Sequence, residues 1–206
     1  ERIRVITYGV DFALFAPPAA GSVDEARRRH GLSRPYVLQL GALEQRRGLD
    51  LALAACASLR GRGADLALVL IGEQRAAVAE LACLPPWVSR LGRVPDDELP
   101  ALLGGAAAVL APSRGEGFDL PVLEALACGA VVVASDISVH VEHFAGSVEL
   151  FASGDAAALG AALTHVLEDS ERAAALRVAG PVRASRFTWE EAARRHLELW
   201  RAVAAR

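Results

Sequence analysis

The sequence contains no lysine, asparagine or methionine, and it has few aromatic residues and only three cysteines among 206 positions. Cys56, Cys83 and Cys128 are far apart and odd in number, which excludes a disulfide framework and a cysteine metal site. The apolar runs fall well short of a membrane span, and no charged-then-apolar signal segment opens the chain. These absences predict a soluble, cytoplasmic protein.

The net charge is only −3, because 25 acidic residues nearly balance 22 basic ones. The basic residues are all arginines and are scattered along the chain. Nucleic-acid surfaces cluster their basic residues on one face, so nucleic acid is not a predicted partner. Asp96 and Asp97 are adjacent and expected in the first turn of a helix, where carboxylates are favoured, rather than in a metal-binding Asp-x-Asp motif. His140 and His143 lack a third ligand, so they are predicted to be structural or surface residues.

What is present is an alternation of short apolar runs, bounded by Gly, Pro or Ser, with helical stretches. Tyr36 to Leu40 and Leu66 to Ile71 are clear examples of buried strands. Five or six such strands alternate with helices. The sequence therefore predicts one α/β domain over residues 1–206, a Rossmann-like three-layer domain with a mostly parallel sheet and a C-terminal helical extension.

The most informative stretch is PSRGEGFDLPVLEALACG, residues 112–129. It lies between two apolar runs and reads strand, loop, helix, strand. The helix should begin near Asp119, whose carboxylate can cap it, with Pro121 in its first turn and Gly129 as its stop. Such a helix points free backbone N–H groups at the carboxyl end of a parallel sheet, where anions bind in open α/β folds.

Two carboxylates frame this predicted anion site. Glu116 lies in the loop, and Glu124 lies one turn into the helix, where side chains tilt back toward the N-terminus. Carboxylates accept hydrogen bonds from hydroxyl groups, so the pair suits an anionic ligand flanked by vicinal diols. A nucleotide sugar has that pattern.

The segment GEGFDLPVLEALACG closely resembles the EGFGLPxLEAMAxG segment of group 1 retaining glycosyltransferases, which use nucleotide sugars and have two Rossmann-like domains (the GT-B architecture). The resemblance implies that Glu116 contacts hydroxyls of the donor sugar and that Glu124 contacts the ribose. It also implies that backbone N–H groups meet the diphosphate at Gly117, Phe118, Asp119 and Leu120. Asp119 stands where the family usually has Gly. Because its carboxylate would repel a diphosphate, we expect it to cap the helix and to point away from the ligand.

The loop GALEQRRGLD begins at Gly41, directly after the strand Tyr36 to Leu40, and resembles the GxLxPRKN loop of the same family. In the family the Arg and Lys of that loop neutralise the donor diphosphate. The match places Arg46 at the Arg position and Arg47 at the Lys position, where the change keeps the charge and adds a planar fork. With Glu116, they are the predicted catalytic residues. The alternative is a basic pair that is merely exposed before a helix.

Further donor contacts are implied where the next two strands end. Gly72 follows the second strand at a place where the family's chain passes near the ribose and base. Arg93 and Val94 come after Gly92, and in the family this position commonly lies against the nucleobase.

Both ends of the chain resemble interdomain segments. Residues 1–17 resemble the start of the family's C-terminal domain and are predicted to be an interdomain linker or first strand. Residues 188–206 are predicted to form a helix with a capping box, Thr188 with Glu191, and an apolar stripe of Trp189, Ala193, His196, Leu197, Trp200 and Val203. In the family the last helix crosses back onto the N-terminal domain, so the stripe is either left for that domain or covers this domain's own sheet.

These observations together predict the donor-binding half of a retaining hexosyltransferase that uses a GDP- or UDP-sugar without a metal or other cofactor. Its partners would be the nucleotide sugar and an N-terminal acceptor domain preceding Glu1, without which the chain should be inactive. Two alternatives stay open. Asp119, Val141 in place of the family's Pro, and the missing domain favour a non-catalytic nucleotide-binding or regulatory module, and a sugar-nucleotide epimerase would share the architecture.

Overall fold

The computed structural model describes residues 3–205. Within that range the chain forms six strands: β1 (Tyr36–Leu40), β2 (Ala67–Ile71), β3 (Val88–Gly92), β4 (Ala108–Ala111), β5 (Val132–Ser135) and β6 (Glu149–Phe151). The α-helices are α1 (Ser22–Arg29), α2 (Leu49–Gly61), α3 (Leu99–Gly104), α4 (Leu120–Ala127), α5 (Ser138–Phe144), α6 (Ala156–Glu168), α7 (Ser170–Ala184) and α8 (Trp189–Ala204).

The six strands form one sheet in the order β3-β2-β1-β4-β5-β6, and every neighbouring pair is parallel. This doubly wound arrangement confirms the predicted Rossmann-like α/β domain. The strand order reverses between β1 and β4. The loops that leave the carboxyl ends of these two strands therefore border the crevice where open α/β sheets bind ligands.

Two cores lie on opposite faces of the sheet. Val37 packs in one core with residues of α2 and α6, and its neighbour Leu38 packs in the other with residues of α3 and α4. Successive side chains of a strand point to opposite faces, and both faces of a covered parallel sheet are buried. This explains why β1 reads as a continuous apolar run rather than an alternating one.

The start of α3 differs from the prediction. The helix begins at Leu99 with Pro100 in its first turn, so Asp96 and Asp97 precede it. Proline is favoured in a first turn because its missing N–H would have no helical partner there. The position of Pro100 thus fixes the helix start three residues later than the aspartates indicated.

Residues 1–17 were predicted to be an interdomain linker or a first strand, and the prediction of a strand is wrong for the described residues 3–17. Residues 3–17 form no strand, only an isolated bridge between Val10 and Thr188. Gly9 lies so close to the first residue of α8 that a Cβ there would collide with the backbone of Trp189. The segment thus packs against the start of the last helix instead of extending the sheet.

The apolar stripe of α8 is exposed, which argues against the interpretation that it covers this domain's own sheet. Trp189 is 46% exposed and Trp200 is 61% exposed, and only Ala192 of this helix is buried. The stripe therefore does not cover the sheet. Within residues 3–205, every helix is too short or too polar to cross a bilayer.

Candidate functional site

Two loops at the switch point are locked together. A Cβ at Gly48, where φ is +68°, would collide with the carbonyl oxygen of Pro112. The backbone N–H of Arg114 donates to the carbonyl of Arg46 over 2.8 Å. The Arg114 guanidinium donates twice to the Asp50 carboxylate, over 2.9 and 2.6 Å. These contacts bring the predicted GALEQRRGLD loop against the predicted PSRGEGFDLP loop.

The glycines at the ends of β1 and β2 let the chain segments approach closely. Gly72 has a φ of +136°, and a Cβ there would collide with the carbonyl oxygen of Gly41. A Cβ at Gly41, where φ is +119°, would stand 3.3 Å from the guanidinium carbon of Arg47. Gly41 and Gly72, both predicted to bind the donor, thus lie at the carboxyl edge of the sheet, and the lack of a side chain at Gly41 gives room to the Arg47 guanidinium.

Arg46 and Glu116 form an ion pair across the two loops. Nη1 of Arg46 lies 2.6 Å from Oε2 of Glu116, and Nε donates to Glu44 over 2.9 Å. The hydrogen bond to Glu116 raises the pKa of Arg46. The Arg46 side chain is 47% exposed whereas that of Glu116 is 6% exposed, so the arginine reaches solvent while the glutamate is nearly buried. Ser113 also donates to Glu116, over 2.9 Å.

Arg47 is more enclosed, with 13% of its side chain exposed. Its Nη1 donates to Oδ1 of Asp119 over 3.0 Å, and the side-chain amide of Gln39 donates to its carbonyl over 2.8 Å. The Nε of Arg47 lies 3.1 Å from Oε1 of Glu116 but is not aligned for a hydrogen bond. The buried Oε1 of Gln39 likewise has no hydrogen-bond partner among residues 3–205. Unsatisfied buried polar atoms are rare and concentrate at functional positions. The alternative of a basic pair that is merely exposed therefore fits Arg46 alone, because Arg47 is largely enclosed.

The prediction that Asp119 caps α4 is wrong. Asp119 is the N-cap residue, but its φ of +69° and ψ of +69° are left-handed and its side chain makes no capping hydrogen bond. The carboxylate is instead buried between Arg47 and His140, whose Nε2 lies 3.1 Å from Oδ2. Burial alone would raise the pKa of Asp119, yet the hydrogen bond from His140 and the charge of Arg47 outweigh it and lower the pKa. Asp119 is thus ionised within a buried network.

Glu124 projects from the first turns of α4, as predicted. Burial, followed by the charges of Asp119 and Asp96, raises its pKa to about 7. Glu124 is therefore substantially protonated at neutral pH, so its carboxyl group can donate as well as accept a hydrogen bond. Such a group suits hydroxyls, which also do both.

The other predicted contacts are distributed differently. Phe118 is 6% exposed, with its ring edge-on to Phe144 and Phe187, so its side chain belongs to the core and only its backbone faces the loop. The side chain of Val94 is likewise in the core, at 4% exposure. Gly117 and Arg93 are exposed, and Leu120 is partly buried against the core.

One residue of the cluster was not predicted as part of the site. His140 is fully buried beneath the loops and contacts Asp119, whereas the sequence indicated only a structural or surface histidine. The available signal was its position shortly after β5, because the carboxyl ends of β4 and β5 are adjacent in a parallel sheet. Among residues 3–205, no three His, Cys, Asp or Glu side chains converge to hold a metal ion.

Comparison with known proteins agrees with this geometry. The profile of the glycosyl transferases group 1 family matches residues 34–169. The chain belongs to that family. It is 32% identical to a D-inositol 3-phosphate glycosyltransferase of Corynebacterium urealyticum, over 98% of this chain and 51% of the relative.

Solved structures share the fold. Sucrose-phosphate synthase from Thermosynechococcus elongatus superposes with a TM-score of 0.83 at 26% identity, over 98% of this chain and 53% of that protein. The Anabaena protein HepE, in complex with UDP and glucose, superposes with a TM-score of 0.84 at 21% identity, over 97% and 57%. This group 1 chain spans about half the length of the relatives it matches, and their architecture is GT-B.

Proposed function

We propose that this chain is the donor-binding half of a retaining hexosyltransferase and that it binds a GDP- or UDP-sugar at the switch point. The observation that carries the proposal is the juxtaposition of Arg46, Arg47 and the N-terminus of α4 with Glu116. Glu124 lies in α4, within range of the charges of Asp119 and Arg47. Two guanidinium groups and a helix N-terminus form an anion site. Two carboxyl groups beside it suit the hydroxyls of a sugar and a ribose.

The arginines would neutralise the diphosphate in place of a divalent cation. Arg46 is half exposed and held by Glu44 and Glu116, so it can turn one edge of its guanidinium to a phosphate oxygen while it keeps the Glu116 contact. The guanidinium of Arg47 lies beside Gly41, where the lack of a side chain gives it room. Negative charge grows on the diphosphate as the bond to the sugar breaks, and preorganised donors stabilise that charge.

Glu116 would orient the donor sugar. Its carboxylate is nearly buried and already fixed by Ser113 and the two arginines. A carboxylate offers about four lone-pair positions, so these contacts leave room for a sugar hydroxyl. Glu124 would bind the ribose. Retention would follow if the leaving diphosphate itself helps to deprotonate the acceptor, and therefore no protein group is assigned as the general base.

Transfer requires an acceptor, and the proposed acceptor domain corresponds to the half of the relatives that this chain does not match. Residues 3–17 would be the linker and the exposed stripe of α8 would contact that domain. The chain itself should bind the donor and transfer sugar poorly or not at all.

A thermal-shift titration against UDP, GDP, ADP, CDP and dTDP tests the donor site. Ligand at a hundred times its dissociation constant adds about 2.7 kcal/mol of stability, which is about 6 °C for a chain of this length. Arg46→Ala, Arg47→Ala and Glu124→Ala should abolish the shift. Arg28→Ala should keep it, because Arg28 is 73% exposed on α1 and remote from the site in the fold.

A shift with one nucleoside diphosphate that the three site variants lose would support the proposal and identify the base. If no diphosphate binds, and none binds when an acceptor domain is supplied, the non-catalytic module replaces the transferase. If a full-length protein interconverts epimers of a nucleotide sugar, the epimerase replaces it.

A further inference from the structure

A buried ion pair lies directly against Arg47, on the side away from solvent. The side chains of Asp119 and His140 are both 0% exposed, and Nε2 of His140 lies 3.1 Å from Oδ2 of Asp119. The other carboxylate oxygen, Oδ1, accepts the hydrogen bond from Nη1 of Arg47 over 3.0 Å. His140, Asp119 and Arg47 thus form a chain of contacts that runs from beneath β5 to the anion site.

Both ring nitrogens of His140 have an oxygen partner. Nδ1 lies 2.8 Å from the carbonyl oxygen of Ser135, which can only accept a hydrogen bond. Nε2 lies 3.1 Å from the carboxylate of Asp119, which also only accepts when it is ionised. The ring is therefore held at both ends. The hydroxyl of Ser135 donates to the carbonyl of Ser113 over 2.6 Å, which fixes Ser135 beside the ring.

This arrangement lowers the free energy of unfolding if it serves only the fold. The ionised carboxylate of Asp119 is removed from water, and pairing a buried charge seldom recovers more than its desolvation cost. Asp119 also adopts a left-handed backbone conformation, and it is the only residue other than glycine with positive φ in the described chain. A glycine would adopt that conformation without strain. The carboxylate therefore has a role that glycine would not fulfil, and its one contact toward the site is Arg47.

We propose that the Asp119–His140 ion pair is a positioning device, which orients the Arg47 guanidinium for the diphosphate of the ligand. The inference rests on the proposed function, since it assigns Arg47 to a phosphate. His140 fixes one oxygen of Asp119, and Asp119 fixes Arg47 by the other. Neither side chain touches the ligand. Their loss should therefore weaken the binding of phosphate groups and leave the binding of the nucleoside unchanged.

The test compares UDP with uridine, and GDP with guanosine, by calorimetry for the diphosphates and ligand-observed NMR for the nucleosides. In Asp119→Asn and His140→Gln, the preference for the diphosphate over its nucleoside should fall about tenfold or more, as expected for a weakened charge-assisted contact. His165→Gln is the matched control, because it removes a half-exposed histidine of α6 that pairs with Glu149 at 2.8 Å and with Asp169 at 3.6 Å. It should keep the wild-type preference.

A purely structural role would lower the affinities for diphosphate and nucleoside together, or neither of them. Wild-type preference in folded Asp119→Asn and His140→Gln would therefore overturn the positioning role and leave the donor site intact. A wild type that binds no nucleoside diphosphate would instead overturn the proposed function, and this inference with it.

Removing one member of a buried pair can prevent folding. The double variant Asp119→Gly/His140→Leu covers that case, because it removes both polar side chains of the pair and relieves the left-handed strain. It should fold and show the same loss of diphosphate preference. If it folds with the preference of the wild type, Arg47 needs no support and the proposal is wrong.

Discussion

Glu124 should make the stability of this domain depend on pH in the neutral range. Its pKa is raised from 4.5 to about 7, by burial first and then by Asp119 and Asp96, against the opposing charge of Arg47. Each pKa unit corresponds to 1.36 kcal/mol, so the difference is worth about 3 kcal/mol between the two protonation states.

The sign follows from which state holds the proton. Between about pH 4.5 and pH 7, the folded state keeps Glu124 protonated while the unfolded state releases the proton. The unfolded state is therefore stabilised relative to the folded state as pH rises through this range. The contribution of Glu124 to the free energy of unfolding is fully present below pH 4.5, falls as pH rises through about 7, and is constant above that.

Urea denaturation of wild type and Glu124→Gln from pH 5 to pH 8 measures this effect. The glutamine has the shape of the protonated acid and does not titrate, so the difference in unfolding free energy removes contributions from the histidines. Between pH 5 and pH 8 the unfolding free energy of the variant should rise by about 2.5 kcal/mol relative to that of wild type, which is roughly 6 °C in melting temperature.

Glu171→Gln is the control, since Glu171 is an exposed carboxylate in the first turn of α7. Its difference from wild type should stay constant across the same pH range. If the Glu124→Gln and wild-type curves run parallel within about 0.5 kcal/mol, then Glu124 is ionised in the folded protein and the reasoning is refuted.

Three further predictions concern loops, thiols and the surface. Gly48→Ala should lower the unfolding free energy by more than about 2 kcal/mol, from left-handed strain and the collision with Pro112; Gly115→Ala, where a Cβ meets nothing within 4 Å, should be near neutral in the same urea titration. Native protein should react with a thiol reagent at Cys83 only and the urea-unfolded protein at all three cysteines, because burial raises the pKa of the other two to about 12; three equally fast native thiols would contradict this. Trp200→Glu should change the melting temperature by less than about 2 °C, because the side chain is 61% exposed, and a larger loss would show that the α8 stripe is packed in solution.

The parts of the fold that local pattern determines were predictable. β1 and β2 are short apolar runs bounded by turn residues, and α4 begins at Leu120 because Pro121 fits its first turn. The meeting of the two loops also followed from the sequence, because carboxyl ends of parallel strands share one edge. These predictions depend only on residues that are neighbours in the sequence, or on the edge that parallel strands share.

The contacts that were missed join residues distant in sequence. The capping rule considers only the residues next to Asp119, whereas its partners Arg47 and His140 are 72 and 21 positions away. A local rule therefore assigned the carboxylate to the wrong donors. The predicted first strand failed for a similar reason, since Val10 pairs with Thr188 and not with the sheet.

The pairing of Val10 with Thr188 has a consequence for the order of folding. The two segments are separated by nearly the whole described chain, so their contact closes a very long loop and forms only after the sheet has brought them together. With Ala192 as its only buried residue, α8 has little to hold it once that contact opens. We expect α8 to detach before the sheet unfolds, and its amide protons should exchange with solvent well ahead of those in β1 and β4.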